Sequence, residues 1–333
     1  GFMIVAGVPP IVGVYATFFI TAIAAFFGSS KGMISAAAGS VALVLAHLVA
    51  EYGIQYIFAA TILAGILQVA LGLLKVGTLM RYIPKPVMTG FVNGLGIMMF
   101  TSQLDHFQGS LLLPLLGLLG IAIIFLFPRV TKKIPAPIVA IFVITAIVLV
   151  FGLDVKTLGD MGSISTDLPR FGIPAVPMTV ETLRIIFPTA LSVAIVGLVE
   201  SLLTAQLVDE ITDEKSDKNQ ETLSQGLGNV VSGFFGGIAG CGMIGQTIIN
   251  LNYGGLGRLA TFLSGFFMLL SVVLLNGSVV QIPVVALAAV MVVVSIETIN
   301  WDSIKRLRTN PKNESFAMIL TVAIVIGTHN LAY

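Results

Sequence analysis

Charge is what this sequence has least of. Asp, Glu, Lys and Arg make up 10% of its 333 residues, against 56% hydrophobic residues, and the mean hydropathy is +1.03. So few polar side chains cannot cover a water-soluble globule, and lipid is the expected solvent for most of the chain. A formal net charge of +1 provides no field that would recruit nucleic acid or an acidic partner. The single cysteine, Cys241, excludes an internal disulfide, and in its apolar context it reads as packing. Also missing are a phosphate-binding Gly-rich loop with Lys, zinc-ligand spacing and a nucleophile elbow. The chain is therefore read as no enzyme and no ATP-driven pump, with no metal and no cofactor beyond a coupled proton or sodium ion. Its opening Gly1–Gly7 run has neither a basic region nor a small-residue cleavage site, and reads as the tail of a helix cut short.

Long apolar stretches are what the sequence does have, separated by short polar turns that often carry Pro or Gly. Spans are expected at about 10–28, 53–75, 87–103, 111–128, 136–153, 187–209, 222–236, 257–276, 282–296 and 313–330. Two weaker segments, 34–50 and 243–253, follow Gly-rich approaches and carry Ser, Gln, Thr or Asn. These read as half-helices.

The cations fall mainly in alternate loops. One set holds Lys31, Lys75, Arg81, Lys85, Arg129, Lys132, Lys133, Lys215, Lys218, Arg258, Lys305, Arg306, Arg308 and Lys312; the other holds Lys156, Arg170 and Arg184. Fourteen against three places the first set in the cytoplasm. The two halves also repeat. Phe26-Phe27-Gly28 precedes Gly32-Met33-Ile34-Ser35, as Phe234-Phe235-Gly236 precedes Gly242-Met243-Ile244-Gly245. Ile83-Pro84-Lys85-Pro86-Val87 and Ile282-Pro283-Val284-Val285 then open a helix two crossings further on. Equivalents lie seven crossings apart, an odd number, which inverts the topology and points to a transporter's central site.

A helix that begins in mid-membrane presents unpaired N–H groups and the positive end of its dipole, which attract anions. Ser35 to Ser40 line the first such end, and Gly245, Gln246 and Thr247 the second. Tight helix packing is the alternative reading of these small residues. Glu200 stands alone in an apolar run with Thr204 one turn on, and a carboxylate at that depth suggests proton or cation coupling, or else a neutral tether between helices. Arg258 is read as an interfacial anchor, His47 as core packing, and Trp301 as the aromatic anchor of a short interfacial helix. The loop from Asp209 to Glu221 is read as a solvated connection.

Ala6-Gly7-Val8-Pro9-Pro10-Ile11-Val12-Gly13-Val14-Tyr15-Ala16 resembles a signature of the sulfate permease family, also called solute carrier family 26. Asn219-Gln220-Glu221, Gln225-Gly226-Leu227-Gly228-Asn229 and Ser232-Gly233-Phe234-Phe235-Gly236-Gly237 resemble that family's run between its eighth and tenth helices. The resemblance covers essentially the whole chain. It implies an all-α polytopic fold of two inverted seven-helix repeats, about 1–153 and about 187–333, in one transmembrane transport domain, 1–333, with interleaved core and gate parts. Substrate is then expected at Ala38, Gly39, Met243, Ile244, Gly245 and Gln246, and ion coupling at Glu200 and Thr204. The start of the first helix, the last helix and a cytosolic STAS domain are expected outside this sequence. Some relatives carry Ser, Thr or Arg where this chain has Ile244, Gly245 and Gln246, so the cargo is not carried over. The expected function is secondary active transport of sulfate, bicarbonate or a dicarboxylate by a membrane-embedded homodimer. An anion channel and a nucleobase permease of the same fold are the alternatives, and Gln246 in place of an acid argues against the second.

Overall fold

The computed structural model describes residue 3 and residues 6–78, 84–131, 134–161, 168–308 and 311–328. Arg81, Lys132 and Lys133 of the cation set, Ile83 of the second repeated motif, and Gly1, Phe2, Ile4 and Val5 lie outside the described residues.

Every span read from the sequence holds a helix. In chain order these are α1 (Pro10–Phe27), α2 (Gly39–Tyr52), α3 (Ile54–Leu73), α4 (Lys85–Gln103), α5 (Leu112–Leu126), α6 (Ala136–Phe151), α7 (Val180–Thr212) and α8 (Lys218–Phe234). They continue with α9 (Ile244–Asn252), α10 (Arg258–Leu274), the one-turn α11 (Asn276–Val279), α12 (Val284–Thr298), the short α13 (Trp301–Lys305) and α14 (Lys312–Thr328). Among the described residues, Pro10–Phe27, Ile54–Leu73, Leu112–Arg129 and Val180–Thr212 are long and apolar enough to cross a membrane by length and composition. At 33 residues α7 is about 50 Å long, well beyond a hydrocarbon core of about 30 Å.

Helix starts follow local chemistry. Pro10 opens α1, and Pro135 and Pro283 stand immediately before α6 and α12, where the missing N–H costs nothing. Three polar starts use side-chain caps: Thr179 accepts from Thr182 N at 3.2 Å ahead of α7, Asp217 accepts from Asn219 N at 2.8 Å ahead of α8, and Asn300 accepts from Ser303 N at 2.9 Å ahead of α13.

The first half-helix differs from expectation at its start. Ser35–Ala37 is not helical but forms a strand, β1, which pairs antiparallel with β2, Gly240–Gly242. The register is Ser35 with Gly242, Ala36 with Cys241 and Ala37 with Gly240. A Cβ on Gly240 would meet the Ala36 carbonyl, so the ladder needs the missing side chain there. The helix therefore begins at Gly39, four residues later than Ser35. Each strand leads into one of the two half-helices, so their antiparallel pairing, centred on Ala36–Cys241, sends those helices in opposite directions.

The helices form two compact units. One comprises Phe2–Met88 and Thr166–Leu274 and so holds α1 to α3, both strands and α7 to α10. Its tightest seam joins α3 to α8, where Gly65 and Gly226 face each other: a Cβ on Gly226 would lie 2.7 Å from Val69 N and 2.8 Å from Gly65 O. Small residues buy this backbone-to-backbone approach in a medium with little hydrophobic drive. The other unit comprises Thr89–Ser165 and Leu275–His329. Its core includes Leu116, Ile144, Val148, Val285 and Ala286, with a second cluster of Ile124, Ala136, Ala140 and Val293. Within it, Asn93 of α4 accepts from Asn300 N at 2.7 Å and donates to Ser303 Oγ at 3.0 Å, fixing the start of α13. Trp301 sits there half-exposed, its Nε1 donating to Ile296 O at 2.8 Å.

His47 is a correction. Val41, Ala42, Leu45 and Leu48 form the buried stripe of α2, and His47 falls on the opposite face. Its side chain is 81% exposed, and Nε2 lies 3.3 Å from Glu51 Oε1 one turn on.

Candidate functional site

The two half-helices begin at opposite ends of the short ladder. Ala38 precedes α2 and Met243 precedes α9, and neither helix has a side-chain cap. Three residues of strand separate the two starts, about 10 Å at 3.4 Å per residue. The helices run away from one another, so both positive ends converge on the ladder. Cross-links pin it from both sides: Met243 N donates to Ile34 O at 2.8 Å, Ile34 N donates to Thr247 Oγ1 at 3.0 Å, and Thr21 Oγ1 donates to Ser35 O.

Of the expected substrate contacts, Ala38, Gly39 and Met243 are buried, Ile244 and Gly245 are half-buried and Gln246 is exposed. A Cβ placed on Gly245 would meet nothing within 4 Å. The first turn of α9 therefore opens onto free space, while that of α2 lies inside the unit.

Glu200 and Thr204 come to this centre from α7. Glu200 is buried, accepts from Ser40 Oγ at 2.5 Å and touches the Cys241 thiol. Ser40 belongs to the first turn of α2, so the carboxylate sits beside that helix start. Thr204 Oγ1 lies 2.8 Å from Glu200 O and 2.9 Å from Gly242 O, and its one proton is shared between them. Between them Ser201 accepts from Gly242 N at 2.9 Å and donates to Gly197 O at 2.7 Å. One face of α7 thus holds β2 and presents a carboxylate to α2.

Sequence reasoning missed the part played by α8. The Asp209–Glu221 stretch is not simply a solvated connection: Glu221 lies in the first turn of α8 and is completely buried. Its Oε2 accepts from Ser29 N at 2.8 Å and Ser30 N at 3.0 Å, while Oε1 accepts from Gln225 Nε2 at 3.0 Å. The second proton of that amide goes to Ser35 Oγ at 2.7 Å. One turn on, Asn229 donates to Gln68 Oε1 at 2.7 Å and accepts from Gly240 N at 2.8 Å. Ser232 then donates to Ile238 O at 2.8 Å. Glu221, Gln225, Asn229 and Ser232 recur at helical spacing, and that polar stripe on an otherwise apolar chain was the available signal.

The C-terminal end of α1 is closed by neighbours. Arg258 of α10 donates to Phe26 O at 3.4 Å and Gly28 O at 3.2 Å, and Gln220 Nε2 donates to Phe27 O at 3.0 Å. Lys31 pairs with Glu214 at 3.0 Å and Lys218 with Asp209 at 2.7 Å. These cations gather at one end of the unit. The segment carrying Arg170 is tied to the other, through Gly172 N to Phe234 O at 2.8 Å and Ala175 N to Gln55 Oε1 at 3.0 Å.

Comparison with known proteins agrees with this geometry. The profile of the Sulfate permease family matches residues 1–112 and 110–321. The chain is 52% identical over 335 residues to the Putative sulfate transporter YbaR of Bacillus subtilis, covering all of this chain and 70% of that protein. It is 31% identical to the Bicarbonate transporter BicA of Synechocystis, over 88% of this chain and 57% of that one. Among solved structures, the transmembrane domain of a cyanobacterium bicarbonate transporter BicA superposes with a TM-score of 0.89 at 26% identity, covering 99% of this chain and 91% of that one. The overall structure of SLC26A9 gives 0.80 at 18% identity, over 98% of this chain and 59% of that one, a likeness of fold.

Proposed function

This chain belongs to the sulfate permease family, and from that premise we propose that it is a secondary active transporter moving sulfate, bicarbonate or a dicarboxylate by alternating access. It is a multi-pass integral protein of the plasma membrane, and its relatives are named transporters, not enzymes.

The observation that carries the proposal is the β1–β2 ladder, which sets two uncapped helix N-termini back to back beside a buried carboxylate. An anion needs partial positive charge without a fixed cation that would hold it too tightly, and opposed first-turn amides provide that. Ala38, Gly39, Met243, Ile244, Gly245 and Gln246 are the contacts in this reading. Small residues at Gly39 and Gly245 allow close backbone approach, and Gln246 adds an amide donor at the exposed end.

Coupling runs through Glu200 and Thr204. The Thr204 hydroxyl bridges the backbone carbonyls of Glu200 and Gly242 while the Glu200 carboxylate lies against Ser40, and in this reading those oxygens are the groups that take a proton or a sodium ion. Charging or neutralising Glu200 next to Ser40 alters the field at the start of α2, which links the ion to the anion. Sulfate is the first cargo to test, given the 52% identical relative, and a homodimer is the assembly we expect.

The test is uptake into proteoliposomes of labelled sulfate, bicarbonate, chloride and fumarate, with imposed proton or sodium gradients. Saturable, gradient-driven entry of one anion is the expected result. Conductive flux without saturation would make the protein a channel, and no flux of any anion would overturn the reading.

A further inference from the structure

Glu221 is a second carboxylate inside the helical unit, and the transport scheme above gives it no task. It is fully buried, and three cations at its end of the unit are engaged elsewhere: Lys31 with Glu214, Lys218 with Asp209, and Arg258 with the carbonyls of Phe26 and Gly28. Its compensation comes from three N–H donors: two backbone amides of the turn after α1, and one proton of Gln225. A buried carboxylate satisfied by neutral donors is costly to keep unless the donors are held where the fold needs them.

The geometry of Gln225 shows what is being held. Its amide nitrogen gives one proton to Glu221 and the other to Ser35 Oγ, leaving its own carbonyl oxygen buried without a partner among the described residues. The reverse orientation would set that oxygen against the Glu221 Oε1, acceptor against acceptor, so Glu221 fixes which way the amide points. Gln225 in turn fixes Ser35, the first residue of β1, opposite Gly242. The same ladder carries the chain to Ala38 and Ser40, where Ser40 meets Glu200. The Glu221 acceptor oxygens in the first turn of α8 thereby order the strand that leads into the start of α2.

We infer that Glu221 is a positioning residue: by clamping the Ser29–Ser30 turn and orienting Gln225 onto Ser35, it sets the register of β1 and hence the placement of the Ala38–Ser40 helix start and its contact with Glu200. The inference rests on the transport reading for its functional part, but the structural link can be read without transport. Cys241 is the only cysteine in the chain, is fully buried and pairs with Ala36, so its reaction with a membrane-permeant maleimide reports opening of the ladder.

The experiment compares wild type, Glu221→Gln, Ser35→Ala, and the exchange Glu221→Gln with Gln225→Glu, all purified in detergent and reconstituted. An exchanged pair can rebuild the chain: Gln at 221 accepts from the Ser29 and Ser30 amides and donates to Glu at 225, which accepts from the Ser35 hydroxyl. Glu221→Gln alone is expected to speed Cys241 labelling about tenfold and raise the KM for the anion about fivefold, the worth of one or two buried hydrogen bonds. Vmax should stay within about twofold, and the exchange should bring both readouts back toward wild type. Ser35→Ala deletes one hydroxyl and should produce the same shifts if the larger changes fail to fold. Wild-type labelling and KM in Glu221→Gln and in Ser35→Ala would overturn the inference, as would faster labelling with an unchanged KM. A wild-type protein that transports nothing would sink the transport reading instead. The labelling rates then decide whether Glu221 orders the ladder, unchanged rates overturning that link as well.

Discussion

Glu200 and Gly245 are the single residues on which the proposed transport reading turns most. Glu200→Gln keeps the shape and the contact with Ser40 but removes the ionisable group. Coupled uptake should fall to background while the melting temperature holds, and vesicles that still concentrate anion against a gradient would take Glu200 out of the mechanism. Gly245 makes the complementary case. Its missing side chain faces open space, so Gly245→Trp should fold with an unchanged melting profile. Flux should nonetheless drop at least about tenfold, because the added ring fills the space before the first turn of α9. Equal uptake by that variant would place the anion elsewhere. Glu200 was legible because a charge alone in an apolar run is expensive. Glu221 was not, because a carboxylate at the edge of a charged stretch looks solvated until its three donors are seen.

At the scale of elements, packing between α3 and α8 supports everything that the α8 stripe holds. Gly226→Leu would drive a side chain into Val69 N and Gly65 O, backbone atoms that cannot turn aside. A loss of about 1–3 kcal/mol is expected, seen as a lower midpoint in thermal melts followed by tryptophan-independent far-UV dichroism. An unshifted midpoint would mean that the two helices do not meet there. The half-helices were visible in the sequence as short segments rich in small and polar residues. The strands before them were not, since Ser-Ala-Ala and Gly-Cys-Gly carry no strand propensity and are extended only because each supplies the other's hydrogen bonds.

For the whole molecule, the cation count predicts a sidedness that labelling can check. In a Cys241→Ala background, a cysteine at Lys215 should react with an impermeant maleimide only from the cytoplasm, and one at Arg170 only from outside. The reverse pattern would invert the topology and with it the direction of transport. Membrane residence, the order of the spans and the presence of two half-helices were determined by the sequence alone, because hydropathy, charge bias and helix-breaking residues act over a few neighbouring positions. Tertiary structure alone decided that β1 pairs with β2, that His47 turns outward while Glu221 turns inward, and that Ser40 meets Glu200. Those outcomes join residues far apart in the chain, such as Ser35 with Gln225 and Ser40 with Glu200, and a hydrogen bond between distant segments leaves no periodic trace in either.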